Sequence, residues 1–418
     1  MVERNGGAVR AVAWSEICSW LSIFRTFRLA IGFRVLLMGA VGILLTTTGW
    51  GLLGNMFSIT QDNAPATNWL RPYVECPWIE LTMLVPDQPI ILSNSQQMDV
   101  SQTLGMETQP RDPVFFPMHF LNQPLREGLV AEINLKYLIC LILCGLWSMA
   151  VWAFFGAAIC RIAAVQLAAS ERISWFSAIR HAVTKYLSYF SAPLIPLTGA
   201  ALAAVPIAVV GLIMYLGNFG VFVGALAWPI ALVFGLIITL LFLGLIFGWP
   251  LMWGTISTEG TDSFDALSRS YAYVFQAPLH YLFYAFVAAV LGALGWILVQ
   301  NFAAGVIWLT YWSASWGATD LKIQAVMPGG EIGGIGYAGA WLIRFWTGCV
   351  KILAVGYLFS YFWTASVAIY LLMRRVVDAT EMDEVFLDAD EGEKVSGLPK
   401  IVTDESGAPK VSEESSGA

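Results

Sequence analysis

Val221-Phe-Val-Gly-Ala-Leu-Ala-Trp-Pro-Ile-Ala-Leu-Val-Phe-Gly-Leu-Ile-Ile-Thr-Leu-Leu-Phe-Leu-Gly-Leu-Ile-Phe247 is a run of 27 residues without a charge. About 20 such residues, wound as a helix, cross a hydrocarbon core of about 30 Å. A helix apolar on every side has no face to offer water. This stretch therefore sets the fold class as an all-α integral membrane protein. Five more stretches pass the same test: 35–57, 137–159, 192–216, 281–301 and 352–373, giving about six transmembrane helices. The first is too long and too deep in the chain for an ordinary cleaved signal peptide, and it is expected to be retained. Phe302–Trp316 is shorter and carries Thr310, Ser313 and Ser315. Three readings of it are open: an extension of the fifth span, a re-entrant segment or an interfacial one.

Composition agrees with the span count. Hydrophobic residues make up 58% of the 418 positions and charged residues 12%, where a soluble domain carries about 25% charged. The net charge of -7 is unevenly spread: residues 376–418 hold twelve acids and three lysines, and the rest of the chain is mildly basic. An acidic tail stands off anionic headgroups. No basic cluster is dense enough to neutralise a series of phosphates, so nucleic acid is not an expected partner.

Orientation follows from the bases. With the N-terminus inside, fifteen Lys and Arg fall on the inner side and seven on the outer. Both termini are thus expected to be cytoplasmic, in the cell (inner) membrane. The organisation that follows is a cytoplasmic N-terminal interfacial helix in 1–34, a first span at 35–57 and a proline-rich extracytoplasmic loop at 58–136. Two repeat units come next, 137–216 and 221–301. An extracytoplasmic or re-entrant segment, 302–351, leads to a sixth span, 352–375, and an acidic disordered cytoplasmic tail, 376–418. The long outer loop holds nine of the eighteen prolines, which argues against a long helix and for an irregular or short-stranded cap, with Ile90–Leu92 and Val114–Phe116 as candidate short strands. In the N-terminal helix, Trp20, Phe24, Phe27 and Ile31 share a face.

The repeat rests on two connections. Ser170-Glu-Arg-Ile-Ser-Trp-Phe-Ser-Ala-Ile179 aligns with Thr258-Glu-Gly-Thr-Asp-Ser-Phe-Asp-Ala-Leu267, matching Glu171 with Glu259, Phe176 with Phe264 and Ala178 with Ala266. Each continues as an amphipathic helix, with Phe176, Ile179, Val183 and Leu187 on one face of the first and Phe264, Leu267, Tyr271 and Val274 on one face of the second. Ser174 and Asp262 are expected N-caps, and Pro193 and Pro278 are expected at the mouths of the following spans. An apolar face flanked by bases and aromatics suits the headgroup plane. Chance similarity of two short connections is the competing explanation.

The stretch Glu259-Gly-Thr-Asp-Ser-Phe-Asp-Ala-Leu-Ser-Arg-Ser-Tyr-Ala-Tyr-Val-Phe275 with Pro278, and the tail segment Val385-Phe-Leu-Asp-Ala-Asp390, resemble a recurring signature of uncharacterised bacterial multi-pass membrane proteins. The resemblance covers about half the chain and implies the architecture alone, since no function is assigned to that family.

Chemistry-bearing patterns are few. The six runs contain no Asp, Glu, Lys, Arg or His, which counts against an ion-coupled mechanism. Gln300 and Asn301 read as interhelical hydrogen-bonding or interface residues before they read as solute contacts. Pro196, Pro206 and Pro229 read as kinks rather than as the breaks of a transporter's discontinuous helices. Gly334-Ile-Gly-Tyr-Ala-Gly339 matches a dinucleotide fingerprint in letters only, lacking the βαβ context, and reads as a flexible loop. His119, His181 and His280 are widely spaced, and Cys140 and Cys144 share a helix face without a further ligand, so no metal, cofactor or catalytic residue is assigned. Cys76 and Cys349 fall on the same outer side, where pairing is one open outcome. Among eighteen tryptophans, Trp20, Trp249, Trp253, Trp312 and Trp316 are expected in interfacial belts, and Trp147, Trp152, Trp296 and Trp363 in helix packing.

The candidate functional cluster is Glu259, Asp262, Asp265, Arg269 and His280, on the inner face. Asp262 and Asp265 also suit the first turn of a helix. Three functions are carried forward. The first is a noncatalytic scaffold or accessory subunit of a membrane complex, with the lipid bilayer around it and a cytoplasmic protein partner reached through the acidic tail. There, Pro399-Lys-Ile-Val402 and Pro409-Lys-Val-Ser412 read either as docking motifs or as solvated tether. The second is a transporter or permease subunit for an apolar or lipid-like solute. The third is a lipid-modifying enzyme, which needs Asp262, Arg269 and His280 in one pocket.

Overall fold

A computed structural model describes residues 19–57, 69–89, 116–130, 134–169, 173–327, 330 and 332–386, with strand residues 401–403 and 409–411. Its helices, in chain order, are α1 (Ile23–Ala30), α2 (Phe33–Met56), α3 (Arg71–Glu75), α4 (Ile79–Met83), α5 (Phe116–Leu121), α6 (Gln123–Val130), α7 (Leu135–Ala168), α8 (Trp175–Thr184), α9 (Tyr186–Met214), α10 (Asn218–Glu259), α11 (Ser263–Gln276), α12 (Pro278–Ser315), α13 (Asp320–Val326) and α14 (Ile335–Val377). Six of them, α2, α7, α9, α10, α12 and α14, are long and apolar enough to cross a membrane. In lipid the backbone has no water to bond, so an uninterrupted helix is the only open form that satisfies every N–H and C=O.

The core is built on α14. Where α2 crosses it, glycines face each other: a Cβ on Gly39 would lie 2.4 Å from the Gly356 carbonyl oxygen, and one on Gly356 would lie 2.7 Å from that of Leu36. With no hydrophobic gain between helices in lipid, such small residues let dispersion act at backbone distance. Around this crossing the centre is filled by rings. Trp152 stacks on Phe359 at 4.6 Å, Trp253 stacks on Trp363 at 4.3 Å, and Trp249 meets Trp363 edge-on at 5.2 Å. At the opposite end of the bundle from the C-terminus of α10, Trp50 packs against Trp69, Tyr73 and Phe120 and donates its indole N–H to Ser148 at 2.9 Å. The buried ammonium of Lys351 in α14 pairs with Asp87 at 2.6 Å, tying the segment after α4 to the bundle.

The periphery is different. The α9–α10 hairpin is exposed over most of its length, with Leu202, Leu212, Phe219, Phe222 and Leu226 pointing outward. At 1.5 Å per residue, the 42 residues of α10 extend about 63 Å, twice a hydrocarbon core.

Several expectations are corrected. The segment 302–351 is not one separate element: 302–315 continue α12, which is the extension of the fifth span among the three readings left open, and 335–351 are the first part of α14. The hydroxyls in the first part do not break the helix, because Thr310 and Ser315 bond back to the carbonyls of Val306 and Trp312. The glycine motif straddles a helix start, with Gly334 at positive φ and Ile335–Gly339 already in α14. Because the helices outrun the apolar runs, ionisable residues do lie within them, Arg161 and Lys351 among the buried ones. Trp249 and Trp253 are core residues rather than belt residues, for the same reason.

The described parts of the proline-rich loop form four short helices, with Phe116 opening one of them; Ile90–Leu92, Val114 and Phe115 lie outside the described residues. Pro72, Pro117 and Pro124 sit in first turns, where a missing N–H costs nothing. Pro278 likewise opens α12, but Pro193 lies inside α9, seven residues past its start. In α1, Ile23, Thr26 and Ala30 face the protein while Phe24 and Ile31 are exposed. Cys76 and Cys349 are free thiols. In the tail, Ile401–Thr403 pairs antiparallel with Pro409–Val411, which sets Ile401 and Val402 of one Pro-Lys motif opposite Val411 and Lys410 of the other. Residues 378–386 are also ordered against the bundle, as described next.

Candidate functional site

The site grows from the C-terminus of α10. The helix ends at Gly260, which takes φ +65° and returns its N–H to the Ile256 carbonyl at 3.0 Å. Glycine is suited to this left-handed closing position because it has no Cβ to clash. The last turn still leaves carbonyls without partners, at the negative end of the helix dipole. Three separate parts of the chain supply them. Arg161 of α7 donates to the Ser257 carbonyl at 2.7 Å, Lys185 between α8 and α9 donates to that of Gly260, and the Phe386 N–H reaches that of Thr258 at 2.9 Å.

Beside these carbonyls Glu259 gathers a polar network. Its carboxylate meets Arg269 of α11 at 2.7 Å and Arg374 of α14 at 3.7 Å, and it accepts from the Tyr370 hydroxyl at 2.6 Å. Tyr370 and Arg374 are four residues apart on α14, hence on one face. Arg374 donates onward to the carbonyls of Glu381 at 3.0 Å and Glu384 at 2.5 Å. The Tyr273 hydroxyl donates to the Asp378 carboxylate, and burial together with that bond pushes its pKa above the ordinary tyrosine value. Residues 378–386 thus form a strap over the end of the bundle. A cleft of about 550 Å³ lies beneath it, lined by Thr258, Glu259, Arg269, Arg374, Thr380 and Phe386 among others.

Of the five residues singled out by sequence, Glu259 and Arg269 come together. Asp262 is spent as an N-cap, accepting from the N–H groups of Phe264 at 3.1 Å and Asp265 at 3.0 Å. Asp265 is exposed in the first turn of α11, and His280 is exposed on α12 beside the Tyr284 ring. Asp262, Arg269 and His280 do not converge, which removes the geometry the enzymatic reading needed. Sequence reasoning missed Arg161, Lys185, Tyr273, Tyr370, Arg374 and the strap. The i, i+4 spacing of Tyr370 and Arg374 at the end of a long apolar run was the available signal. Among the described residues, no group of three or more His, Cys, Asp or Glu is placed to hold a metal ion.

Two apolar clefts flank the bundle. One, of about 480 Å³, lies among α6, α7, α9 and α10 and includes Leu141, Trp152, Leu197 and Trp253. The other, of about 700 Å³, lies among α10, α12 and α14 and includes Phe247, Ala289, Tyr357 and Phe362. No family model, no curated protein and no solved structure matches the chain.

Proposed function

We propose that the chain is a noncatalytic multi-pass membrane protein serving as a scaffold or accessory subunit of a membrane complex. The observation that carries this reading is the filled centre: the Trp152–Phe359 and Trp253–Trp363 stacks occupy the space a solute path would need. In this reading α8 and α11 are amphipathic cytoplasmic helices, the 58–136 segment caps the outer face, and both termini are cytoplasmic. The bases support that orientation, since Arg25, Arg161, Lys185, Arg269 and Arg374 cluster at the end that holds the strap. The tail beyond Phe386 then reaches a cytoplasmic protein partner from a fixed point.

The test is crosslinking in intact membranes with mass spectrometry, comparing the full chain with one ending after Phe386, so that the strap is kept. Partners that appear with the full chain and vanish with the shorter one support the reading. An identical crosslink pattern for both removes the tail from it. A second reading, a carrier of an apolar or lipid-like solute, is favoured by the two flanking clefts, whose linings are almost wholly apolar. Photo-crosslinking of a diazirine-bearing acyl chain at Leu197 or Ala289 tests that reading directly.

A further inference from the structure

Arg374 is almost fully buried, yet its charge is poorly matched. Among the described residues its one carboxylate contact is long, 3.7 Å to Glu259, which already serves Arg269 at 2.7 Å. Its other acceptors are two neutral main-chain carbonyls of the strap, and its Nε has no acceptor among the described residues. A buried guanidinium without a full counter-charge is costly. Its planar fork of donors suits the oxygens of a tetrahedral anion. The Glu381 and Glu384 carbonyls stand where such oxygens would sit. Arg269, with 43% of its side chain exposed, lines the same cleft, as do Thr258 and Thr380.

The strap is held by attachments that can be undone without unfolding a helix. Besides the Arg374 bonds, these include the Phe386 N–H bond, the Phe386 ring against Gly260, the Tyr273–Asp378 bond and the packing of Met382. It carries Asp378, Glu381, Asp383 and Glu384, so an anionic surface repels the very segment that covers the arginines.

We propose that Arg269 and Arg374 form a binding site for a phosphate group, which the strap 378–386 occupies when phosphate is absent. The group is either the headgroup of an anionic phospholipid or a free phosphate. The inference rests on the reading above only in putting this end of the bundle at a membrane surface, and its test does not involve the tail beyond Phe386.

The full-length protein in micelles is followed by hydrogen–deuterium exchange with three probes: dihexanoyl phosphatidic acid, dihexanoyl phosphatidylcholine and inorganic phosphate. Phosphatidic acid is expected to raise exchange across 378–386, and phosphatidylcholine to leave it unchanged. An equal response to inorganic phosphate supports the site with a soluble ligand; a response to phosphatidic acid alone supports it with a lipid. Phe386→Asp, which frees the strap, is expected to tighten phosphatidic acid binding about tenfold, and Arg269→Gln to weaken it about tenfold, the scale of one charge-assisted bond. Arg269→Lys, which keeps the charge without the fork, falls between. If no anionic probe changes strap exchange, or if Arg269→Gln binds as the natural chain does while remaining folded, the proposal is overturned.

Discussion

The units α7–α8–α9 and α10–α11–α12 repeat one plan with different chemistry at its centre. In both, a long helix leads to a short one that opens on a side-chain cap: Ser174 accepts from the Ser177 N–H, and Asp262 accepts from the Asp265 N–H at the aligned position. Ala178 and Ala266 are fully buried, while Phe176 and Phe264 are 84% and 68% exposed. The units part at the aligned pair His181 and Arg269. His181 is buried with the Tyr189 hydroxyl 3.3 Å from its ring, whereas Arg269 enters the ionic network of Glu259. Small, exposed and capping positions describe how a short helix lies on its neighbours, and both copies need them. The charges depend on what lies opposite, and α11 lies beside Tyr370 and Arg374 at the end of α14.

The largest effect should come from breaking that difference. Glu259→Gln leaves the buried Arg374 without a carboxylate among the described residues and is expected to cost about 3 kcal/mol, at the low end for a broken buried pair because Arg269 is partly exposed and screened. Thermal unfolding in detergent reads this out. An unchanged midpoint would mean that the ionic network does not distinguish the units energetically.

Next in size are Ala178→Leu and Ala266→Leu. Both alanines are fully buried, and overpacking such a site costs about 1–3 kcal/mol. Equal losses from the two variants would support a shared packing plan. A loss confined to Ala266→Leu would reduce the likeness to sequence alone. Ser174→Ala and Asp262→Ala probe the caps, each expected to cost about 1 kcal/mol by the same unfolding measurement.

These positions also mark how far the sequence could be read. The six spans were visible because lipid demands long uncharged runs, and the caps because Ser and Asp before an apolar period leave few alternatives. Helix ends were not visible, because α10 and α14 continue through Trp253 and Lys351 once neighbouring helices satisfy them. Of the site, the pair Glu259 and Arg269 was legible from a shared polar connection. Arg161, Arg374 and the strap were not, since they are brought from 98 residues before and 115 and 127 residues after Glu259 (taking Phe386 for the strap) by packing alone. An acidic, low-aromatic tail gives no local sign that its first residues will find carbonyls and guanidinium groups to bond.

The smallest effect on stability bears most directly on location. Phe176 and Phe264 point away from the rest of the protein, so Phe176→Ser and Phe264→Ser should shift unfolding in detergent by no more than about 0.5 kcal/mol. Exposed rings on two matched helices make sense if lipid covers them, because water would charge each a transfer cost of about 1.5–3 kcal/mol. Spin labels at Phe176→Cys and Phe264→Cys, with Cys18, Cys76 and Cys349 replaced by serine, distinguish the two environments in reconstituted vesicles. Collisions with oxygen dominating over those with a nickel complex at both sites would show that the ring positions of both short helices are buried in lipid. Nickel accessibility at one site alone would show that the repeat is one of shape, with a single copy lying at the membrane surface. Nickel accessibility at both would remove the membrane-surface reading of these helices and leave a protein partner as the reason for the exposed rings.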